Sequence, residues 1–243
     1  MVDIHCHILH NYDDGASSLS ESLKMARMAA ETGVTDIVVT PHFEGRAPSL
    51  RRLPTLVEHF QELTAAIERE AIPITLHLGA EILCTEETLH LAQKKLLPTI
   101  GASNYFLTEF YFDEDPDFMD EMLRQLAKAG YTPVVAHPER YGAIQRDPAI
   151  LKHWFRRGYV LQLNKGSILG AFGHRAEHAA HGILRAGLAH VIASDAHSAS
   201  RRTPHMEGLN RWLDHHLDAE YARILTEENP RRIINGEPLV PVE

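Results

Sequence analysis

Short apolar runs alternate along the chain with longer amphipathic segments. The runs have the length of buried strands, and the segments between them carry apolar residues at helical spacing. Strands are predicted over residues 2–8, 36–40, 74–80, 105–110, 132–136, 159–163 and 189–193, and helices over residues 20–32, 55–71, 86–94, 117–129, 150–157 and 176–186. Strand and helix alternating about seven times predicts a parallel sheet covered by helices.

The first predicted strand is distinctive because polar and apolar residues alternate in it. A strand directs successive side chains to opposite faces. This predicts one face with Asp3, His5 and His7, and another with Ile4, Cys6 and Ile8. Two imidazoles on one face of a strand can bind a metal ion, since histidine is the commonest metal ligand. The alternative is a strand with two half-exposed histidines.

Composition limits the class of function. The 243 residues carry a formal charge of −9, and this acidic balance argues against binding to duplex nucleic acid. Two cysteines cannot build a disulfide framework, so a reduced cytoplasm is the expected setting. No apolar run approaches the roughly 18 residues of a membrane span. Histidine is unusually frequent, with 17 residues.

Residues that can bind metals recur at the carboxyl ends of six of the seven predicted strands. They are His5 and His7, with Asp14 in the loop that follows, then His42, Glu81, Glu109 and His137, and finally Asp195 and His197. In an α/β barrel these strand ends converge on one mouth, where active sites lie. The placement favours a seven-stranded α/β barrel, similar to a TIM barrel, over an open sheet. Nothing between the elements resembles a linker, which predicts one domain over residues 1–243.

Each of these residues also has an ordinary structural interpretation when it is taken alone. His42 and His137 lie beside prolines, which is typical of loop or capping histidines. Asp14 precedes a glycine, as turn residues often do, and the two glutamates could be strand ends that reach solvent. Asp195 and His197 are harder to explain in this way, because they repeat the i, i+2 spacing of the first strand. The common location favours the metal site.

Several short motifs resemble those of the PHP (polymerase and histidinol phosphatase) superfamily. The motifs are Asp3-x-His5-x-His7, Thr40-Pro41-His42, Glu81, His137-Pro138-Glu139-Arg140 and Ser194-Asp195-Ala196-His197. The runs around Asp13-Asp14-Gly15, His137-Pro-Glu-Arg-Tyr141 and Arg202-Thr-Pro-His205 are similar, more closely, to the bacterial PHP-type protein-tyrosine phosphatases. Those enzymes act on tyrosine kinases that control capsular and exopolysaccharide synthesis. The resemblance extends over essentially the whole chain, as far as Pro230.

This resemblance implies a distorted seven-stranded barrel with three divalent metal ions, often manganese. By motif, the first ion is expected on His5, His7, Glu81 and Asp195, the second on Glu81, Glu109 and His137, and the third on Asp14, His42 and His197. All these ligands are histidine or carboxylate, a mixture that suits manganese, iron or zinc. The absence of cysteine from the set argues against a structural zinc site.

The expected chemistry is hydrolysis of a phosphate monoester. Metals that share a hydroxide would direct it onto phosphorus in line with the leaving oxygen, and cations must surround the phosphoryl oxygens. Arg140 and Arg202 are the predicted catalytic residues, because an arginine fork binds two such oxygens at once. The alternative interpretation of each is an ordinary surface arginine.

Three functions remain open at this point. The first is hydrolysis of phosphotyrosine in a protein, the second is a small-molecule phosphatase (histidinol phosphate) or phosphodiesterase, and the third is a metal-binding module without activity. A cysteine-dependent tyrosine phosphatase is excluded, since Tyr12 and His90 stand where an arginine would follow Cys6 and Cys84 by six residues. The complete ligand set disfavours the module.

The expected protein partner is a phosphotyrosine-containing protein, the tail of a bacterial tyrosine kinase. The segment 43–54 is interpreted as a loop beside the mouth. Its cations Arg46, Arg51 and Arg52 are predicted to help bind an acidic tail that is rich in phosphotyrosine. The physiological metal and the oligomeric state are not predicted.

Overall fold

A computed structural model describes residues 1–242 of the chain, with the backbone alone at Pro48. The strands are β1 (Val2–Cys6), β2 (Asp36–Val39), β3 (His42–Phe43), β4 (Thr75–Leu78), β5 (Glu81–Leu83), β6 (Tyr105–Glu109), β7 (Thr132–Ala136), β8 (Val160–Asn164) and β9 (Val191–Ala193). The helices are α1 (Leu19–Glu31), α2 (Ala47–Arg51), α3 (Leu53–Arg69), α4 (Glu86–Gln93), α5 (Pro116–Lys128), α6 (Gly142–Arg146), α7 (Ala149–Arg156), α8 (Lys165–Ile168), α9 (His174–Arg185), α10 (Glu207–His216), α11 (Ala219–Arg223) and α12 (Asn229–Asn235). A 3₁₀ turn covers Pro138–Arg140, and a π-helical segment covers Ile224–Glu228.

All the paired strands are parallel and form two sheets. One sheet has the order β1-β2-β4 and the other the order β3-β5-β6-β7-β8-β9. In two places the chain leaves one sheet and enters the other after a break of only two residues. These places are between β2 and β3 and between β4 and β5. The breaks are bridged by hydrogen bonds from Gly79 N–H to Val39 O (2.9 Å) and from Glu81 N–H to Pro41 O (3.0 Å). The two sheets therefore share one continuous strand order.

The strand order returns to its beginning. Directly after β9, Asp195 N–H donates to His5 O (2.9 Å), and His7 N–H donates to Ala196 O (2.8 Å). The order thus passes from β1 through β2/β3, β4/β5, β6, β7 and β8 to β9, and then to β1. The prediction of a distorted, barrel-like α/β fold with seven strand positions is confirmed.

Two apolar clusters lie on either side of the strands. The smaller one takes Val2 and Ile4 from β1 and further residues from β2, β6, β7, β8 and β9. Because this cluster contains side chains from strands on all sides of the barrel, it lies inside the ring of strands. The larger cluster includes residues of the covering helices. This two-layer burial is the arrangement expected of an α/β barrel.

The strict alternation predicted for the first strand is wrong. The pairing of β1 with β2 shifts register between Asp3 and Cys6, and such an irregularity changes the face to which the next residues point. Ile4 consequently packs in the inner cluster, whereas Cys6 packs in the outer one. The Asp3 carboxylate accepts hydrogen bonds from the backbone N–H groups of Ser194 (3.0 Å) and His5 (3.4 Å).

The interpretation of segment 43–54 as a loop is also wrong. Most of it belongs to α2 and to the start of α3, and each of these helices has a proline in its first turn. Proline suits that position because the backbone N–H that it lacks would have no partner there. Of the three arginines, Arg46 lies 3.3 Å from Glu87, and Arg52 stacks on the ring of Tyr12 at 4.2 Å. Among the helices of residues 1–242, none is both long and apolar enough to cross a membrane.

Candidate metal centre

The strand ends bring all nine predicted metal ligands to one end of the ring. His5 lies in β1 and His7 just beyond it, His42 opens β3, Glu81 opens β5, Glu109 ends β6, His137 follows β7, Asp195 and His197 follow β9, and Asp14 lies between β1 and α1. Most of these side chains are buried, and Asp14, whose side chain is 64% exposed, lies at the rim. The cluster is therefore largely buried, with solvent access beside Asp14.

Glu81 is the centre of the cluster. Its carboxylate lies 3.2 Å from His5 Nε2, 3.1 Å from His7 Nε2, 3.2 Å from His42 Nδ1 and 2.9 Å from His137 Nε2. A carboxylate can bind two ions through its two oxygens. The position of Glu81 is thus compatible with the bridging role that the sequence resemblance implied.

Three groups of potential ligand atoms lie close enough to share an ion. They are His5, His7 and Glu81; His42, Glu81 and Glu109; and His7, Asp14, His42 and His197, with all the atoms of a group within 4.8 Å of one another. His137 and Asp195 are not members of these three groups, but both contact them: His137 Nε2 lies 2.9 Å from Glu81 and 3.8 Å from Glu109, and Asp195 lies 3.5 Å from His5 Nε2. His7 and His42 each belong to two groups, a difference from the expected partition.

The charges of this cluster perturb one another strongly. Burial opposes the charged form of His42, yet hydrogen bonds with Asp14 and Glu109 raise its pKa to about 11. Burial likewise opposes ionisation of Asp195, but the charge of His5 lowers the pKa of that carboxyl to about 2. Burial and the neighbouring charge of His7 lower the pKa of His197 to about 4. Burial also opposes ionisation of Glu81, but the charged histidines lower the pKa of this carboxyl, so Glu81 and Asp195 are ionised and attract cations.

The residues fit divalent metal ions. Buried carboxylates are costly unless they are paired or bind metals, and four carboxylates converge here with five imidazoles. Both cysteines are buried, and burial raises the pKa of each thiol, well above its usual range at Cys6 and to about 12 at Cys84. A thiol that stays protonated is a poor metal ligand. The donor set is thus oxygen and nitrogen, which suits hard or borderline cations.

Two backbone positions at the strand ends are strained. His137 has a φ of 36° and Asp195 a φ of 50°, in the left-handed region that non-glycine residues seldom adopt. Such strain persists where the surrounding structure enforces it, and it often marks functional sites. Both strained residues have their side chains in the cluster, where His137 contacts Glu81 and Asp195 contacts His5.

A layer of polar residues that sequence analysis missed orients the histidines. His7 Nδ1–H donates to Asp13 (2.8 Å), and His5 Nδ1–H donates to Gln162 (2.9 Å). Each bond leaves the Nε2 lone pair free to face the cluster. Gln162 in turn donates to Asn164 (3.1 Å), whose amide donates to Asp195. Such partners commonly fix metal-binding histidines.

The signal for two of these residues was present in the sequence. The predicted strand 159–163 was the one without a metal ligand, but Gln162 lies in it and Asn164 follows it directly, with an apolar residue between them. Period-two spacing places both amides on one face of β8. Glu139 was missed as well: it is fully buried and accepts a hydrogen bond from Asn164 N–H (3.0 Å).

The two predicted catalytic arginines lie beside Asp195. Arg202 forms an ion pair with Asp195 Oδ2, and Arg140 Nη1 lies 3.6 Å from the same oxygen. The Phe172 ring packs against both guanidinium groups, with its centroid 5.4 Å from the guanidinium carbon of Arg202 and 4.3 Å from that of Arg140. Both arginines are therefore held at the cluster rather than free in solvent. A groove of about 720 Å³ between α6, α7 and α9 is lined by none of these residues.

Comparisons with known proteins agree with this geometry. The chain is 34% identical over 228 residues to the tyrosine-protein phosphatase YwqE of Bacillus subtilis, covering 93% of this chain and 89% of that protein. It is 31% identical over 241 residues to the tyrosine-protein phosphatase CpsB of Streptococcus pneumoniae, covering 96% and 98%.

A solved structure is similar over its full length. It comes from a study of YwqE from Bacillus subtilis and CpsB from Streptococcus pneumoniae, described there as metal-dependent tyrosine phosphatases. The TM-score is 0.85 at 30% identity, with 100% of both chains covered. Residues 1–235 also match the family described as "Capsular polysaccharide synthesis, CpsB/CapC". With the sequence, the fold and the family match in agreement, the chain belongs to the CpsB/CapC family.

Proposed function

We propose that this protein is a metal-dependent protein-tyrosine phosphatase. The observation that carries the proposal is the placement of nine histidine and carboxylate ligands and two arginines at one end of the strands. Such a cluster suits divalent cations, and arginine forks bind phosphoryl oxygens. Relatives named tyrosine-protein phosphatases, similar over most of the chain, support phosphotyrosine as the ester.

We assign three divalent ions to the cluster, with manganese preferred and iron or zinc compatible. The assignment by motif is His5, His7, Glu81 and Asp195 for the first ion, Glu81, Glu109 and His137 for the second, and Asp14, His42 and His197 for the third. Its support is that seven of the nine ligands fall in the three groups within 4.8 Å, and that His137 and Asp195 contact Glu81 and His5 of these groups. Bound ions of this kind supply a nucleophile from water at neutral pH and neutralise phosphoryl oxygens.

The protein's own residues bind and orient the substrate. Arg140 and Arg202 converge on Asp195, so a phosphoryl group that enters beside this carboxylate meets two planar donors. Asp13 and Gln162 hold His7 and His5 in one tautomer, which keeps their Nε2 atoms directed at the cluster. A phenolate leaving group, with a pKa near 10, needs less help from a proton donor than the alkoxide of serine.

We further propose that the substrate is a phosphorylated tyrosine kinase of capsule or exopolysaccharide synthesis. The description of the CpsB/CapC family supports this assignment. A single domain over residues 1–243 in the cytoplasm is part of the same proposal, and the family match over residues 1–235 and the two free cysteines support it. Hydrolysis of histidinol phosphate or of a phosphodiester is the alternative, which no observation on the site favours.

The test is loss of a ligand. His137→Ala or Asp195→Ala should abolish hydrolysis of a phosphotyrosine peptide even with added manganese, because each removes an assigned metal ligand. His137 contacts Glu81, and Asp195 contacts His5. His153→Ala is the matched control, since His153 is half exposed and pairs with Asp120 away from the cluster. A near-normal rate in either ligand variant contradicts the proposed site.

A further inference from the structure

Two aromatic side chains shortly after the assigned metal ligand Glu109 are exposed. Phe112 leaves 47% of its surface exposed and Tyr111 leaves 55%. They follow Glu109, the carboxylate at the end of β6, by three and two residues. Contiguous exposed apolar surface often marks a place where a ligand or a partner binds. The pair therefore needs an explanation other than packing.

The Phe112 ring lies between the two parts of the site. Its centroid is 5.9 Å from the ring centroid of His137 and 4.4 Å from the guanidinium carbon of Arg140. His137 belongs to the metal ligands, and Arg140 is the residue assigned to phosphoryl binding. The remaining surface of the ring faces solvent at the mouth.

Several contacts fix the ring in this position. Phe112 O accepts a hydrogen bond from Gly142 N–H (2.8 Å), and the Tyr141 ring lies 6.3 Å away. The Arg140 guanidinium lies between Phe112 and Phe172, at 4.4 and 4.3 Å. A surface that is already held in place loses little conformational entropy when it binds a ligand.

We propose that Phe112 forms a subsite for the aromatic ring of the phosphorylated residue. This inference rests on the proposed function, since it presumes that the phosphoryl group binds beside Arg140. In phosphotyrosine a single ester oxygen separates the aromatic ring from phosphorus. A phosphoryl group bound at Arg140 therefore places the substrate ring near Phe112, which lies 4.4 Å from the guanidinium carbon. Aromatic rings attract one another at centroid distances of about 4.5–7 Å. Phe112 thus favours aryl phosphates over alkyl phosphates, independently of the metal ions.

The test compares an aromatic and a non-aromatic phosphate. Phe112→Ala should lower kcat/KM for a phosphotyrosine peptide about two- to tenfold, the contribution of one aromatic pair. Hydrolysis of acetyl phosphate, which has no ring and a better leaving group, should fall by a smaller factor, because for this substrate only the contacts of Phe112 with Arg140 and His137 are lost. Phe112→Tyr should restore the activity on the peptide. Calorimetry with a phosphonomethyl-phenylalanine peptide should show the same two- to tenfold weakening of binding without turnover.

Leu96→Ala is the matched control. Leu96 is 61% exposed, and its neighbour Lys95 contacts Ala129, just before β7, at the opposite end of the strands from the metal centre. This variant should leave both substrates unaffected.

Equal losses on both phosphates in Phe112→Ala would overturn the subsite, as would a loss seen only with a whole phosphorylated protein and not with the peptide. A wild-type protein that hydrolyses acetyl phosphate but not phosphotyrosine would overturn the proposed function itself.

Discussion

Removal of the Asp13 side chain should weaken metal binding although Asp13 is not among the assigned ligands. Its carboxylate accepts three hydrogen bonds, from His7 Nδ1–H (2.8 Å), His42 N–H (3.0 Å) and Gly15 N–H (3.0 Å). These bonds fix the tautomer of His7 and position the backbone of His42. Burial opposes the charged form of His7, yet the bonds to Asp13 and Glu81 raise its pKa to about 9. A carboxylate that accepts from Nδ1–H makes the Nε2 atom of the imidazole more basic, so Asp13 makes His7 a stronger metal ligand.

The size of the effect follows from the number of bonds lost. A hydrogen bond to a charged group contributes about 1.5–3 kcal/mol, and each 1.4 kcal/mol is a tenfold change in affinity. Asp13→Ala loses the charged bond to His7 and should weaken manganese binding about 10- to 100-fold, the usual effect of losing such a partner. Asp13→Asn keeps one oxygen, which can still accept from His7 and His42, so its loss should be about tenfold or less.

The assay is calorimetric titration of the metal-free protein with manganese, alongside circular dichroism to verify folding. The ordering wild type, Asp13→Asn, Asp13→Ala is the expected result. Affinities of all three proteins within twofold of one another would refute the reasoning, because the hydrogen bonds to His7 and His42 would then not position these ligands.

Three further outcomes are expected. Gly15→Ala should weaken manganese binding about tenfold or more, because an added Cβ would lie 2.1 Å from His7 O and 2.7 Å from His7 Cβ and would displace this ligand. Calorimetry measures the manganese affinity, and an unchanged affinity would contradict the prediction. Gly166→Ala should raise KM for a phosphotyrosine peptide and leave manganese affinity unchanged, because its Cβ would lie 2.5 Å from the Phe172 ring that supports the two arginines; steady-state kinetics at saturating manganese provide the check. Burial lowers the pKa of His190 to about 4 in the folded protein. Between pH 6.5 and 4 the imidazole is therefore protonated in the unfolded chain but not in the folded one, so folding stability falls as the pH falls through this range. Urea unfolding at pH 7.5 and 5.0 should show about 2 kcal/mol less pH dependence in His190→Asn than in the wild type, and parallel pH profiles would disprove it.

The strand ends could be predicted from sequence because the pattern there is local. Apolar runs of strand length followed by His137 or by Asp195 and His197 identify both the element and the end on which the ligands lie. In a parallel barrel this is enough to bring distant ligands together. The nine ligands therefore converge as expected, although which ion each one binds stays a prediction.

The rest depends on tertiary context. The register shift within β1 places Ile4 and Cys6 in different apolar clusters. It arises from the pairing of β1 with β2, so the sequence of β1 alone does not indicate it. Prolines in segment 43–54 are equally common in loops and in the first turn of helices, so α2 was missed. The orienting role of Asp13 becomes visible only when its hydrogen bond to His7 is known.

The basic segment illustrates the same limit. Sequence placed three arginines together and predicted that they bind an acidic tail. In the structure Arg46 pairs with Glu87 and Arg52 stacks on Tyr12, while Arg51 is exposed. Binding of a tail by all three requires some of these contacts to be exchanged. Replacement of the three by alanine remains the test, with turnover of a phosphorylated kinase tail expected to fall and that of a small aryl phosphate to persist.

The most direct measurement is a metal-reconstituted activity assay with three substrates side by side. The protein is depleted of metal, reloaded with manganese and given a phosphotyrosine peptide, a phosphoserine peptide of the same sequence, and histidinol phosphate. The account predicts metal-dependent hydrolysis with a clear preference for the phosphotyrosine peptide. Preference for histidinol phosphate, or equal rates on the two peptides, would contradict it.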